Sequence, residues 1–294
     1  MPLYTEEKTM SVITAIFQAL AQAFCRILPR SESGHSGLFH NFAGRYSGAC
    51  SALTGIVHIG VAIGIVLATY GLFLRLGKEL FGTVRDLTHK KLKGSSQDPG
   101  RSFFYMLLIS FLPMILWAVP TGKGTVYSLL SKTGSNSSVI DEGIFLAITG
   151  VLVLLTARQL QLARNNGNVS VLNAVVVGMA SVFLVPISGL SLTAGVFAAL
   201  MLFGVSKKLA FRYILALSVP VLLVTGIVEI CVAVTPAKAV TVILGLIFSV
   251  VAAFVATRLL KYIIDKNYLK YFGIYDLALG AIAFVIGVFQ LILK

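Results

Sequence analysis

The chain has 294 residues, 57% hydrophobic and only 12% charged, with a mean hydropathy of +0.92. A soluble domain carries about a quarter charged residues, so this balance excludes an ordinary globular protein, and so much apolar surface excludes a disordered one. The net charge is +13, from 24 basic and 11 acidic residues; because the basic residues lie between apolar runs, the excess points to membrane-flanking loops beside anionic lipid and not to nucleic acid.

In chain order, the start Met1-Pro-Leu-Tyr-Thr-Glu-Glu-Lys8 carries two acids where a cleavable signal carries bases, and none is expected. An apolar run over 10–28 ends in Leu28-Pro-Arg-Ser-Glu-Ser-Gly-His35 and is followed by a shorter run over 36–47. Runs long enough to span a bilayer follow at 53–74, 103–119 and 139–157. A second broken stretch covers 170–187, ends in Pro186-Ile-Ser-Gly-Leu-Ser-Leu-Thr-Ala-Gly195, and continues over 196–204. Three more spans follow at 209–231, 239–257 and 271–292. The segment 76–101 reads as a solvated loop beside anionic lipid.

Helices broken at membrane depth are tolerated only where they are buried in protein or line a polar cavity. Both broken stretches, 10–47 and 170–204, are therefore read as re-entrant hairpins. Charge supports this. Segments Arg75–Arg101, Arg158–Arg164, Lys207–Arg212 and Arg258–Lys270 hold 16 of the 24 basic residues. All four share one face, the cytoplasmic one, only if 170–204 returns to its own side. The predicted fold class is an all-α integral membrane protein of six transmembrane helices plus two re-entrant helical hairpins. It forms one membrane domain over 1–294 as an inverted-topology repeat, 10–157 and 170–292.

The hairpin tips are rich in Ser and Gly, which offer hydroxyls and close backbone N–H groups, and Arg26, Arg30 and His35 lie beside the first tip. A matching ligand is an anion, most simply a lipid phosphate. Pro, Gly and Ser also serve plain kinks and close packing in membranes; two hairpins with a nearby histidine favour function. His35 is open to three roles: nucleophile, general acid/base or hydrogen-bonded core residue. Glu32 is placed to orient an imidazole, bind a cation or pair with Arg26 or Arg30. His58 reads as a satisfied buried histidine. Glu229 and Asp276 are expected near helix ends with access to water and receive no catalytic role. Gly122-Lys-Gly-Thr125 lacks the upstream glycine and strand of a phosphate-binding loop. Cys25, Cys50 and Cys231 have no paired spacing, which makes neither a zinc site nor a disulfide framework.

Leu28-Pro-x-Ser-x-Ser-Gly-His35 resembles the first signature of the undecaprenyl-diphosphate phosphatases, the bacitracin-resistance family. His58-Ile-Gly60, Ser188-Gly-Leu-Ser-Leu-Thr-Ala194, Gly204-Val-Ser206 with Val219-Pro220, and Phe272-Gly-Ile-Tyr275 resemble its later motifs. The resemblance implies an inverted repeat that removes the terminal phosphate of a polyprenyl diphosphate at the outer face of a bacterial inner membrane. That reaction recycles the lipid carrier of cell-wall synthesis. By the same resemblance His35 is catalytic and Ser31, Gly34, Ser191 and Thr193 hold phosphate; from this chain's own residues, Glu32 is read as a replacement carboxylate in catalysis and Arg26, Arg30 and Ser33 as further phosphate-holding groups. It also implies a divalent cation, Mg or Ca. The family pattern has two glutamates where Gln22 and Arg26 stand, and an arginine where Leu192 stands. A glutamate and an arginine of that pattern are likewise Arg212 and Asp276 here. The alternative is a non-catalytic homologue that binds or translocates a polyprenyl phosphate.

Overall fold

The computed structural model describes residues 12–42, 52–88, 98–122, 124–133, 139–162, 166–233 and 238–293. Helices α1 (Val12–Ile27) and α2 (Glu32–Phe42) form a first pair joined by a four-residue break. Next come α3 (Ala52–Ala68), α4 (Tyr70–Thr88) and α5 (Pro99–Phe111), which tightens into a 3-10 segment, Leu112–Ala118. Two-residue strands β1 (Pro120–Thr121) and β2 (Gly124–Thr125) lead to α6 (Val126–Ser131) and α7 (Val139–Gln161). The pair α8 (Val171–Leu184) and α9 (Leu192–Leu202) precedes α10 (Lys207–Val232), α11 (Ala239–Asp265) and α12 (Leu269–Ile292).

Five helices, with α5 and its 3-10 extension taken as one, are long and apolar enough to cross a membrane. A sixth is reached if α3 and α4 count as one broken span. The protein is thus an all-α membrane protein. The expected run 53–74 is not one straight helix: the chain turns by 95° between α3 and α4. Thr69 at the bend donates its hydroxyl to the Ile65 carbonyl at 2.7 Å, a back-bond of the kind that bends helices. The loop expected over 76–101 is corrected as well, because helix continues to Thr88. Leu74, Phe81, Val84 and Leu87 are exposed and none of the helix is buried, the surface of a helix that lies along an interface instead of inside a core. Residues 89–97, including His89, lie outside the described residues.

The second pair closes on itself. Gly167, just before α8, donates its N–H to the Gly204 carbonyl at 3.0 Å, and Ser206 donates to the Gly167 carbonyl at 2.9 Å. The chain therefore leaves α9 beside the point where it began α8. Helix α1 packs on α11, and α8 packs on α5.

Helices α7 and α12 meet backbone to backbone. A Cβ added at Gly150 would come within 2.8 Å of the Gly273 carbonyl, and one added at Gly280 within 2.6 Å of the Gly143 carbonyl. With no water to drive apolar association inside lipid, such small-residue contacts and their dispersion hold helices together. We expect Gly150→Leu to lower the thermal unfolding midpoint of the purified protein, at a cost of about 1–3 kcal/mol. Gly77→Leu on α4, where a Cβ meets nothing within 4 Å, should leave the midpoint unchanged.

Candidate functional site

Each break between paired helices carries a serine that caps the next helix. Ser31 Oγ accepts from the Gly34 N–H at 3.0 Å, and Ser191 Oγ accepts from the Ala194 N–H at 3.3 Å. Capping satisfies one orphan amide of α2 and of α9. It engages a lone pair of each hydroxyl and leaves its proton available to a ligand. Ser33 Oγ lies 3.3 Å from Ser31 Oγ.

The two breaks touch. A Cβ at Gly34 would fall 2.9 Å from the Gly189 Cα. Gly189 holds φ +91°, a conformation that strains side-chain-bearing residues, and its carbonyl accepts from Thr149 Oγ1 at 2.8 Å. Across the junction Thr193 donates its hydroxyl to the Arg26 carbonyl at 3.2 Å. Arg26, Arg30, Ser191, Leu192, Thr193 and Ser218 line one narrow cleft between the pairs. Two guanidiniums and three hydroxyls thus face a space that is otherwise walled by aliphatic side chains.

Arg30 lies over the Tyr275 ring at 4.2 Å from its centroid and over Phe272 at 5.1 Å. Such stacking holds a guanidinium without consuming its N–H donors. His35 stacks on the same Tyr275, with ring centroids 5.8 Å apart. His35 Nδ1 lies 2.7 Å from the Ser31 carbonyl. A carbonyl can only accept, so Nδ1 carries the proton and Nε2 of the neutral ring presents its lone pair. The Tyr275 hydroxyl lies 3.3 Å from that Nε2.

Glu32 does not orient His35. Its Oε2 sits 3.4 Å from Arg26 Nη1 and 3.3 Å from His58 Nε2, and His58 Nδ1 in turn lies 2.8 Å from Glu229 Oε2. His58 is buried, as expected, but bridges two carboxylates. A charge at membrane depth is costly unless paired, and this chain of four side chains meets that demand across α1, α2, α3 and α10.

Two sequence expectations are corrected. Asp276 does not reach water: it is fully buried, and neither carboxylate oxygen has a hydrogen-bond partner among the described residues. Glu229 is only 16% exposed and belongs to the His58 chain. Position near a helix end suggested hydration for both, but α12 packs tightly on α7 and α10 packs on α3. A sharper signal was present, since an acid seven residues inside an apolar helix costs too much to face lipid. Tyr275 and Ser218 were not singled out as site residues. Among the described residues, no three His, Cys, Asp or Glu side chains converge to hold a metal ion.

A profile of the bacitracin resistance protein BacA family matches residues 15–282. The chain belongs to that family. Among its similar proteins, the undecaprenyl-diphosphatase of Halothermothrix orenii is 25% identical over 287 residues, covering 95% of this chain and 100% of that protein. The one from Methanobrevibacter smithii is 23% identical over 279 residues, covering 94% and 98%. The one from Clavibacter michiganensis is 26% identical over 282 residues, covering 94% and 97%. The family match therefore embraces both helix pairs and the junction between them.

Removing Glu32 strands Arg26 and leaves His58 with Glu229 alone. Glu32→Ala is expected to destabilise the protein by about 3–5 kcal/mol, read as a fall in the thermal unfolding midpoint. Adding Arg26→Leu should recover part of that loss, because no uncompensated guanidinium then remains.

Proposed function

We propose that the protein is a polyprenyl-diphosphate phosphatase, cleaving undecaprenyl diphosphate to the monophosphate and phosphate at the junction of the two broken helix pairs. The observation that carries this reading is the convergence of Arg26, Arg30, Ser191 and Thr193 on one cleft, with the His35 ring held beside Arg30 through Tyr275, whose hydroxyl meets Nε2. Family membership and the names of the relatives support the same reaction.

In this reading the pairs α1–α2 and α8–α9 are re-entrant hairpins of an inverted repeat, 10–157 and 170–292. Three observations support it. The second pair ends where it starts, at the Gly167–Val205 bridge. Helices α2 and α9 both have 11 residues and both start at a capping serine. The contacts of α1 with α11 and of α8 with α5 exchange under a swap of the halves. The basic segments define the cytoplasmic side of the bacterial inner membrane. The polar chain from Arg26 to Glu229 runs toward the end of α10 remote from those basic segments, which supports a site that opens outward.

The chemistry follows from the side chains. The isoprenoid tail stays in lipid and the diphosphate enters the cleft. Arg26 and Arg30 balance its negative charge, and the Ser31, Ser33 and Ser191 hydroxyls donate to phosphate oxygens beside the Gly34 backbone, joined by Thr193 once its hydroxyl exchanges the Arg26 carbonyl for phosphate. The cleft has little free space, so the two long arginine side chains must move aside to grip the headgroup. His35 Nε2 then either attacks the terminal phosphorus, breaking the bridging P–O bond and forming a phosphohistidine that water hydrolyses to phosphate, or takes the proton of a water that attacks this phosphorus itself; by either route the lipid monophosphate leaves with the bridging oxygen. Glu32 acts by holding Arg26.

The donor set does not fit a resident Mg or Ca. The Glu32 carboxylate is committed to Arg26 and His58, and a guanidinium stands where the resemblance implies a metal-binding glutamate. No step is therefore routed through a metal. The second reading, a homologue that binds or translocates a polyprenyl phosphate without cleaving it, is favoured by Leu192, which occupies the cleft position where the resemblance implies an arginine.

Phosphate release from undecaprenyl diphosphate by the purified protein separates the two. We expect release that His35→Ala lowers by about two to four decades. Arg26→Gln should lower it by about two to three decades. Wild-type release no faster than His35→Ala, with lipid phosphate still bound, would establish the non-catalytic reading. Chelation with EDTA should leave the wild-type rate unchanged.

A further inference from the structure

At the other end of α10 the molecule carries a second polar cavity that the phosphatase reading leaves unused. Lys208 and Arg212 stand one turn apart on α10, and Arg258 and Lys261 stand one turn apart on α11. All four line a groove of about 350 Å³ whose remaining walls include Leu67, Phe211 and Leu215. A shallower groove continues it along α4 and adds Arg75 and Lys78, with Arg212 shared between the two. Neither lining contains an aspartate or a glutamate. The described acids near this end are engaged elsewhere: Glu79 and Asp86 pair with Arg101, and Asp265 pairs with Lys207. Among the described residues none of the six cations has an ion-pair partner.

Six like charges around one groove repel each other, and an anion between them relieves that repulsion. Soluble anions need only the charges. This groove also has aliphatic and aromatic walls, and Leu67 and Tyr70 on its rim are 53% and 60% exposed. Helix α4, bent 95° from α3 with apolar side chains on its surface, sets the groove at the level where headgroups meet acyl chains. Glu229 lies 17 residues beyond Arg212 on the same helix, which is about 25 Å at 1.5 Å per residue. The groove is thus close to a membrane thickness away from the outward end of the polar chain.

We propose that this groove binds a second lipid at the cytoplasmic face, one whose headgroup is a phosphomonoester. Two negative charges on one small headgroup match a cluster of cations better than a diester does, and the acyl or isoprenoid chain lies against Leu67, Phe211 and Leu215. The assignment is independent of the phosphatase reading, since no residue of the His35 site is invoked.

The test is lipid retention by the full chain in neutral detergent, followed by native mass spectrometry. The probes are dioleoyl phosphatidic acid, dioleoyl phosphatidylcholine and inorganic phosphate. Phosphatidic acid should bind about tenfold or more above phosphatidylcholine. The double variant Arg212→Gln/Arg258→Gln should weaken it about twenty-five-fold, the product of roughly fivefold per surface cation. Arg26→Gln/Arg30→Gln should leave at least one phosphatidic acid bound. All six cations are exposed, so their replacement spares the packed interior; Lys208→Gln/Lys261→Gln provides a second, separate pair. Equal retention of phosphatidylcholine, or unchanged binding in both groove variants, overturns the proposal. So does displacement of the lipid by an equal concentration of inorganic phosphate, which would assign the groove to a soluble anion.

Discussion

A helix that stops inside a bilayer leaves up to four amides and four carbonyls without partners, and lipid supplies none. In the proposed re-entrant arrangement, the remainder of this structure follows from how that cost is met. Two interrupted helix pairs are set tip to tip, so that each supplies polar surroundings for the other. Ser31 and Ser191 close the starts of α2 and α9, and Thr193 reaches the Arg26 carbonyl across the junction. The contact between Gly34 and Gly189 lets the two backbones approach where any side chain would hold them apart. Break one tip and the other is left with unsatisfied groups in an apolar medium.

The junction that solves the backbone problem also concentrates charge. Arg26 is balanced through Glu32, His58 and Glu229, a line of contacts that ties both halves of the chain together. Arg30 is held differently, by the faces of Phe272 and Tyr275. The contrast has a consequence. A guanidinium committed to a carboxylate is largely neutralised, whereas one stacked on rings keeps its charge and its donors for an incoming phosphate. In the proposed chemistry Arg30 is therefore the more available cation, and Arg26 the one whose placement fixes the cleft.

The sequence showed the membrane class and the five long apolar helices, because hydropathy over twenty residues is a strong signal; the sixth expected run, 53–74, is divided between α3 and α4. It also showed both breaks, because Pro29, Pro186 and the clustered Ser and Gly interrupt that signal sharply. It did not show the turn at Thr69, since a single hydroxyl back-bond has no periodic signature. Nor did it show that 76–88 is helical, because an amphipathic stretch carrying Lys78, Glu79, Arg85 and Asp86 reads as polar unless its faces are separated. Pairings between distant residues were the least legible. Nothing local distinguishes His58 as the partner of Glu229, 171 positions later, and Glu32 had several equally plausible neighbours. What could be reasoned in advance was cost: a buried acid such as Asp276 had to be inside the protein.

The account stands on the meeting of the two tips inside the membrane. Nitroxide labels on Ser33→Cys and Leu190→Cys, each beside one of the touching glycines, test it directly in a background without the native cysteines Cys25, Cys50 and Cys231. With the protein in lipid nanodiscs, the doubly labelled chain should give a continuous-wave EPR spectrum strongly broadened by dipolar coupling. A spectrum equal to the sum of the two single-label spectra would place the tips apart and contradict the account.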